Sequence, residues 1–122
     1  MNSDRAIDSN SNQTDYDRRC RTIAGYNVYF DQDGFFWDPE EWNETIAMEL
    51  ALEGGVDNLN EEQWRILRFI REFYFYHGRS PMNKDLKEGI KRPLSELEQI
   101  FPGGITNGAR RLAGLPNPKT CF

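Results

Sequence analysis

The stretch from Asn60 to Gly78 dictates what the rest of the chain has to do. Trp64, Leu67, Ile70, Phe73 and Tyr74 recur at helical spacing, and Ile66 and Phe69 widen the stripe they form. A helix this apolar on one side must be covered by other elements, so the spacing predicts a central helix with partners packed around it. Asn60 is a suitable cap for its start, Glu61 and Glu62 favour its first turn, and Gly78 is a stop. With 122 residues there is room for one small domain and none for a second. The mean hydropathy is low, −0.78. Eight Phe, five Tyr and three Trp nevertheless exceed what a disordered chain carries, so most of the sequence buries a core.

Elements that can cover the central stripe are visible on both sides. In Tyr26–Phe30, apolar and polar residues alternate with a period of two, and Asp31-Gln32-Asp33-Gly34 is a turn signal. Phe35-Phe36-Trp37 is then the expected return strand of a β-hairpin. Asp38 and Pro39 open a helix on which Trp42, Ile46 and Leu50 share a face, ending at Gly54-Gly55. A short helix is expected from Ser80-Pro81 to about Gly89, a fourth from Pro93 through Phe101, and a fifth from about Ile105 to Ala113. Pro116 and Pro118 forbid a regular hydrogen-bonded element after Gly114. The expected fold class is mainly α: a small orthogonal bundle of about five helices with an N-terminal hairpin and an extended C-terminal arm. The expected divisions are a disordered tail over residues 1–21, a helical domain over 22–114 and a flexible arm over 115–122. The tail is rich in Asp, Asn and Ser and has too little apolar surface to offset its ordering entropy.

Charge and cysteine usage narrow the functional classes. Residues 1–78 hold seven Lys and Arg against sixteen Asp and Glu, a net of −9, whereas residues 79–122 hold eight against four, a net of +4. A basic C-terminal third on an acidic body suits an anion or an acidic partner surface, or is ordinary solvated charge. One His (His77) and two widely separated Cys offer no zinc-ligand spacing, and two Cys are too few for a disulfide scaffold. No apolar leader and no stretch of about 18 apolar residues is seen, so no membrane association and a cytoplasmic location are expected. The carboxylate pairs Glu40/Glu41 and Glu61/Glu62 sit where helix first turns place acids, and His77 lies at a helix end without a Ser or Cys partner. Gly103-Gly104 ahead of a helix is either a simple breaker or a short anion loop.

Cys121 stands apart. It is the penultimate residue of a proline-containing arm, where a core role is implausible and the thiol is sterically free. Its thiolate can enter a partner's cleft, attack a sulfane sulfur and carry it away. Lys119, and Arg110 and Arg111 where the arm folds back, favour the thiolate, while the C-terminal carboxylate opposes it. Cys20 falls in the expected tail, where it is incidental or an exchange partner for Cys121.

These residues resemble the DsrC/TusE family of sulfur-carrier proteins. In the ending IFPGGITNGARRLAGLPNPKTCF, Phe101-Pro102, Gly104, Ala109, Ala113-Gly114-Leu115-Pro116, Pro118 and Cys121 fit the family's closing run, which has one residue after its last Cys. Asp33-Gly34-Phe35, Trp42, Glu62-Gln63-Trp64 and the segment Leu67–Tyr74 fit its upstream pattern, and Ser80-Pro81 a further small-residue–Pro step. The resemblance covers residues 22–122. It implies a persulfide on Cys121 and no metal or organic cofactor. It further implies sulfur-donor and sulfur-acceptor partners, either TusBCD-like or DsrEFH-like proteins or a sulfite-reductase-like complex. The role would be a TusE-like relay toward tRNA 2-thiouridine or a DsrC-like one in sulfur oxidation and trafficking. That makes the chain a sulfurtransferase-type carrier rather than a turnover enzyme.

The sequence departs from the pattern at Arg110, which takes the place of the family's second arm cysteine, so the arm disulfide of that family is unavailable. Lys91-Arg92-Pro93 replaces a longer connector, and Ile105 and Asn107 replace a Pro and a Lys. Arg110, Arg111 and Lys119 remain candidates for contacting a partner or the anionic persulfide, and a solvated helix face accounts equally for the two arginines. An alternative reading is a regulatory helix-turn-helix-like module whose Arg79, Lys84, Lys87, Lys91 and Arg92 touch phosphates, against which stands the isoelectric point of about 4.9. A third is a docking subunit or sensor that transfers nothing.

Overall fold

The computed structural model describes residues 18–118. Strands β1 (Arg19–Ile23) and β2 (Tyr26–Phe30) form an antiparallel hairpin in which Arg19 lies opposite Phe30 and Ile23 opposite Tyr26. The turn between them has positive φ at both central residues, 53° at Ala24 and 85° at Gly25. That is the primed geometry whose twist matches the strands. The hairpin therefore uses a different partner from the one expected. Asp31–Gly34 does turn, with Gly34 N–H donating to Asp31 O (3.1 Å), but Phe35–Trp37 touches β2 only through an isolated bridge between Phe30 and Phe36. Asp38 and Pro39 start a helical turn immediately afterwards and remove the chain from the sheet. The partner strand comes instead from Arg19–Ile23, which overlaps the segment read as tail. Only Ile23 of β1 is buried, so its sequence carries no alternation to read.

Five helices follow. The first expected helix is split. A 3₁₀ turn at Pro39–Glu41 is capped by Asp38, and α1 (Glu44–Glu53) restarts under a second cap, where Asn43 Oδ1 accepts from Ile46 N–H (2.9 Å). Helix α2 (Glu61–His77) is the central element and opens with a capping box. Asn60 Oδ1 accepts from Gln63 N–H (2.8 Å), and Gln63 Oε1 accepts from Asn60 N–H (2.9 Å). The other end of the Gln63 amide donates to Ile100 O (2.9 Å), which ties the start of α2 to the end of α4. Helix α3 (Asn83–Leu86) is one turn long and continues as a π-turn over Lys87–Lys91. Then come α4 (Leu94–Ile100) and α5 (Gly104–Arg110), the last wound as a π-helix. The mainly helical class, the five helices and the N-terminal hairpin agree with expectation.

The core has two parts. Ile66, Leu67 and Ile70 of α2 pack with Leu86, Ile90, Leu97, Phe101, Ile105 and Ala109, and the C-terminal Leu112, Ala113 and Leu115 join the same cluster. Ile23, Val28, Phe30 and Phe36 close over Ile46 of α1, and Leu50 packs against both clusters. No helix of the described residues is long and apolar enough to cross a membrane.

Candidate functional site at the root of the C-terminal arm

Past Arg110 the chain has to leave its helix, and the carbonyls of Leu112, Ala113 and Leu115 find partners elsewhere. Gly114 adopts φ +77°, a left-handed conformation that glycine takes without penalty, and a Cβ there would run into the indole of Trp42. Trp42 Nε1–H donates to Leu112 O (2.7 Å). Arg71 Nη1 donates to Ala113 O (2.8 Å) and Nη2 to Pro39 O (3.0 Å), with the guanidinium stacked 4.2 Å from the Trp42 ring centroid and 5.0 Å from that of Phe75. Burial pushes the Arg71 pKa down to about 10, which leaves it charged at neutral pH. Phe36 N–H donates to Leu115 O (3.2 Å), and Leu115 N–H closes a wide turn onto Arg110 O (3.2 Å). Asn117 Nδ2 donates to Asp33 Oδ2 (2.7 Å).

The expected free arm over 115–122 is thus corrected for its first part. Leu115 is fully buried and Asn117 is 6% exposed: Leu115 is bonded through its carbonyl to Phe36 and through its amide to Arg110, and the Asn117 side chain to Asp33. Cys121 and Lys119 lie outside the described residues.

Arg110 is corrected as well. Its side chain is buried and turned inward: Nε donates to Ser80 Oγ (2.9 Å), Nη1 to Thr106 Oγ1 (2.9 Å) and Nη2 to Pro81 O (2.6 Å). Desolvation lowers its pKa, and the nearby Glu98 carboxylate counters this. This fork joins α5 to the 80–81 turn. Arg111 is half-buried over the Asp31–Gly34 turn, its Nε donating to Gly34 O (3.3 Å).

The remaining candidates are structural. Glu41 accepts from Tyr29 N–H (2.9 Å) and Glu62 pairs with Arg92. His77 stacks on Phe73, ring centroids 4.1 Å apart. Gly103-Gly104 is a breaker, since the Glu98 carboxylate already accepts from Ile105 N–H (3.2 Å) and occupies the start of α5. Two of the cations assigned to a phosphate-binding module are engaged otherwise, Arg79 with Asp85 (3.2 Å) and Arg92 with Glu62 and Glu96, so that alternative is not favoured. Cys20 is exposed on β1. The described residues hold no group of three or more His, Cys, Asp or Glu able to bind a metal.

Sequence reasoning missed the clamp made by Trp42 and Arg71. The available signal was an Arg inside the apolar repeat of α2 combined with a Gly-Leu-Pro segment whose carbonyls no regular element could satisfy.

Comparison with known proteins places this geometry. The model of the DsrC like protein family matches residues 22–122. The chain belongs to that family. Sulfurtransferase TusE of Salmonella choleraesuis (strain SC-B67) is 31% identical over 107 residues, 82% of this chain and 97% of the relative. TusE of Escherichia coli (strain K12) is 30% identical over the same shares. Among solved structures, the oxidized gamma-subunit of the dissimilatory sulfite reductase (DsrC) from Archaeoglobus fulgidus superposes with a TM-score of 0.75 at 32% identity, covering 85% of this chain and 100% of that one. Allochromatium vinosum DsrC gives a TM-score of 0.72 at 26% identity, covering 86% and 99%.

Proposed function

We propose that this DsrC-family chain is a sulfur carrier that takes up sulfane sulfur as a persulfide on Cys121 and passes it on. The observation that carries the reading is the anchored root. The family's Ala-Gly-Leu-Pro run is fixed to the body by Trp42, Arg71 and Phe36, and Asn117 is bonded to Asp33. The penultimate thiol is then borne only four residues further, at most about 14 Å along an extended chain. A nucleophile on a short tether from a fixed base is suited to entering a partner's cleft and returning with its load.

The chemistry needs no net oxidation. The Cys121 thiolate attacks the outer sulfur of a donor persulfide, the S–S bond of the donor breaks, and the donor leaves as a thiolate while Cys121 becomes Cys–S–SH. An acceptor thiolate then attacks the outer sulfur in turn, the Cys121 S–S bond breaks, and the acceptor leaves as a persulfide while Cys121 returns to its thiolate. Arg110 replaces a second arm cysteine and is bonded into the body, which supports a relay that hands sulfur to another protein over one that closes an arm disulfide. Kinship with proteins named TusE sulfurtransferase and with the DsrC subunit of sulfite reductase supports sulfur-relay partners, TusBCD-like or DsrEFH-like, or a sulfite-reductase-like complex, in the cytoplasm. Lys119 and Arg111 are the cations left to meet the anionic persulfide.

The test is intact-mass and peptide mass spectrometry after incubation with a sulfurtransferase and thiosulfate. A gain of about 32 Da, one sulfur, is expected on the Cys121 peptide and is removed by reductant. Cys20→Ser keeps it and Cys121→Ser loses it. An unloaded Cys121, or an adduct confined to Cys20, rejects the proposal.

A further inference from the structure

A cleft of about 570 Å³ opens between the hairpin, the end of α1 and the second half of α5. Phe30, Leu50, Val56 and Leu112 give it an apolar wall, and Arg19, Arg21 and Arg111 stand around it. Two carboxylates share the lining, Asp31 and Glu53, the latter paired with Arg21 at 2.6 Å, so the charged side chains leave one net positive charge. The volume falls in the range of sites that bury a small ligand or a few side chains.

We propose that the acidic N-terminal segment of this same chain, residues 1–17, docks in this cleft, with the Tyr16 ring against the apolar wall and its aspartates toward the three arginines. Three observations select this occupant. The first is where the segment ends: it joins β1 beside Arg19, and Arg19 both lines the cleft and lies opposite Phe30. Tyr16 is three residues away, so its Cα stays within about 11 Å of that of Arg19. The second is charge: residues 1–17 hold Asp4, Asp8, Asp15 and Asp17 against Arg5 alone, opposite in sign to the cleft. The rival occupant, the C-terminal Lys119-Thr120-Cys121-Phe122, has a lysine and no acidic side chain, the same sign as the cleft. The third is that the family match starts at residue 22, so the segment is an addition to the shared domain. The inference does not rest on the sulfur chemistry, although the two share Arg111, whose contact with Gly34 lies near the arm's root.

The test is nuclear Overhauser spectroscopy on the full chain with labelled methyl groups. Contacts from the Tyr16 ring to methyls of Leu50, Val56 and Leu112 are expected. In the full chain carrying Asp4→Asn, Asp8→Asn, Asp15→Asn and Asp17→Asn, their intensity should fall on the order of fivefold, the size of a few exposed ion pairs. Unchanged methyl shifts of Leu67 and Ile70 confirm that this variant is folded. Absence of any contact from residues 1–17 to the cleft overturns the proposal, as do contacts unaffected by the four substitutions. Contacts from the Phe122 ring to the same methyls also overturn it by giving the cleft to the other end of the chain.

Discussion

Three side chains far apart in sequence decide where the C-terminal segment lies. Trp42 contributes one donor and a flat face, and the two are separable. Trp42→Phe keeps a ring near Arg71 but leaves Leu112 O without its partner, at a cost of about 1–2 kcal/mol. Denaturant unfolding measures that cost, and hydrogen exchange at Gly114 and Leu115 should quicken more than exchange in α4. Arg71→Met removes two charge-assisted bonds together and should cost about 2–4 kcal/mol by the same measurement. Arg110 is more specialised. Its three acceptors, Ser80 Oγ, Thr106 Oγ1 and Pro81 O, are spread around one planar fork. Arg110→Lys should therefore fail to restore the stability lost in Arg110→Ala, about 2–4 kcal/mol, because an ammonium cannot reach all three directions at once. Recovery of most of the loss by Lys would show that charge alone is wanted there. Installing a cysteine at this position to regain a second arm thiol would carry the same structural cost.

The helices obey their caps. Asn60 serves both halves of a capping box, so Asn60→Ala should lower stability by about 1 kcal/mol, seen as a drop in Tm. Asp85 does the comparable work at the start of α3. Its carboxyl is held below its usual value of 3.8, first by Met82 N–H (2.8 Å) and then by Arg79. A carboxyl depressed in the folded state stabilises fully above its unfolded pKa, and the contribution disappears as acid takes the pH down through the folded value. Asp85→Asn should accordingly flatten the acid limb of a stability-versus-pH curve and leave the region above about pH 6 parallel to that of the parent. Such local rules are why α2 and α4 are legible from sequence: Asn60, Gly78 and Pro93 mark their ends, and each carries apolar residues at helical spacing. The hairpin was only half legible, since Tyr26–Phe30 alternates while Arg19–Ile23 reads as polar tail until its mate is known. Trp42 was assigned to the face of α1 at correct spacing, but Asn43 interrupts the helix and frees the indole for Leu112. The arm's root was illegible for a related reason: local pattern reports where regular bonding stops, not which distant side chains take over.

At the scale of the whole molecule, fold and proposed chemistry separate cleanly. The described bonds that hold the C-terminal segment fall at Leu112, Ala113, Leu115 and Asn117 and the proposed chemistry falls at Cys121, so removing residues 121–122 is expected to leave the unfolding midpoint unchanged while abolishing sulfur uptake. Measuring the two on one preparation checks this. A lowered midpoint would mean that the last residues help to hold the body together, and undiminished uptake would place the reactive sulfur elsewhere. The bonds to Leu112, Ala113 and Leu115 come from Trp42, Arg71 and Phe36, in three separate stretches of chain, yet fall within four consecutive residues. A pull on the segment from its far end would meet Asn117 first, then Leu115, and only then Ala113 and Leu112, so the strongest hold, the charged bond from Arg71 to Ala113 O, is reached late.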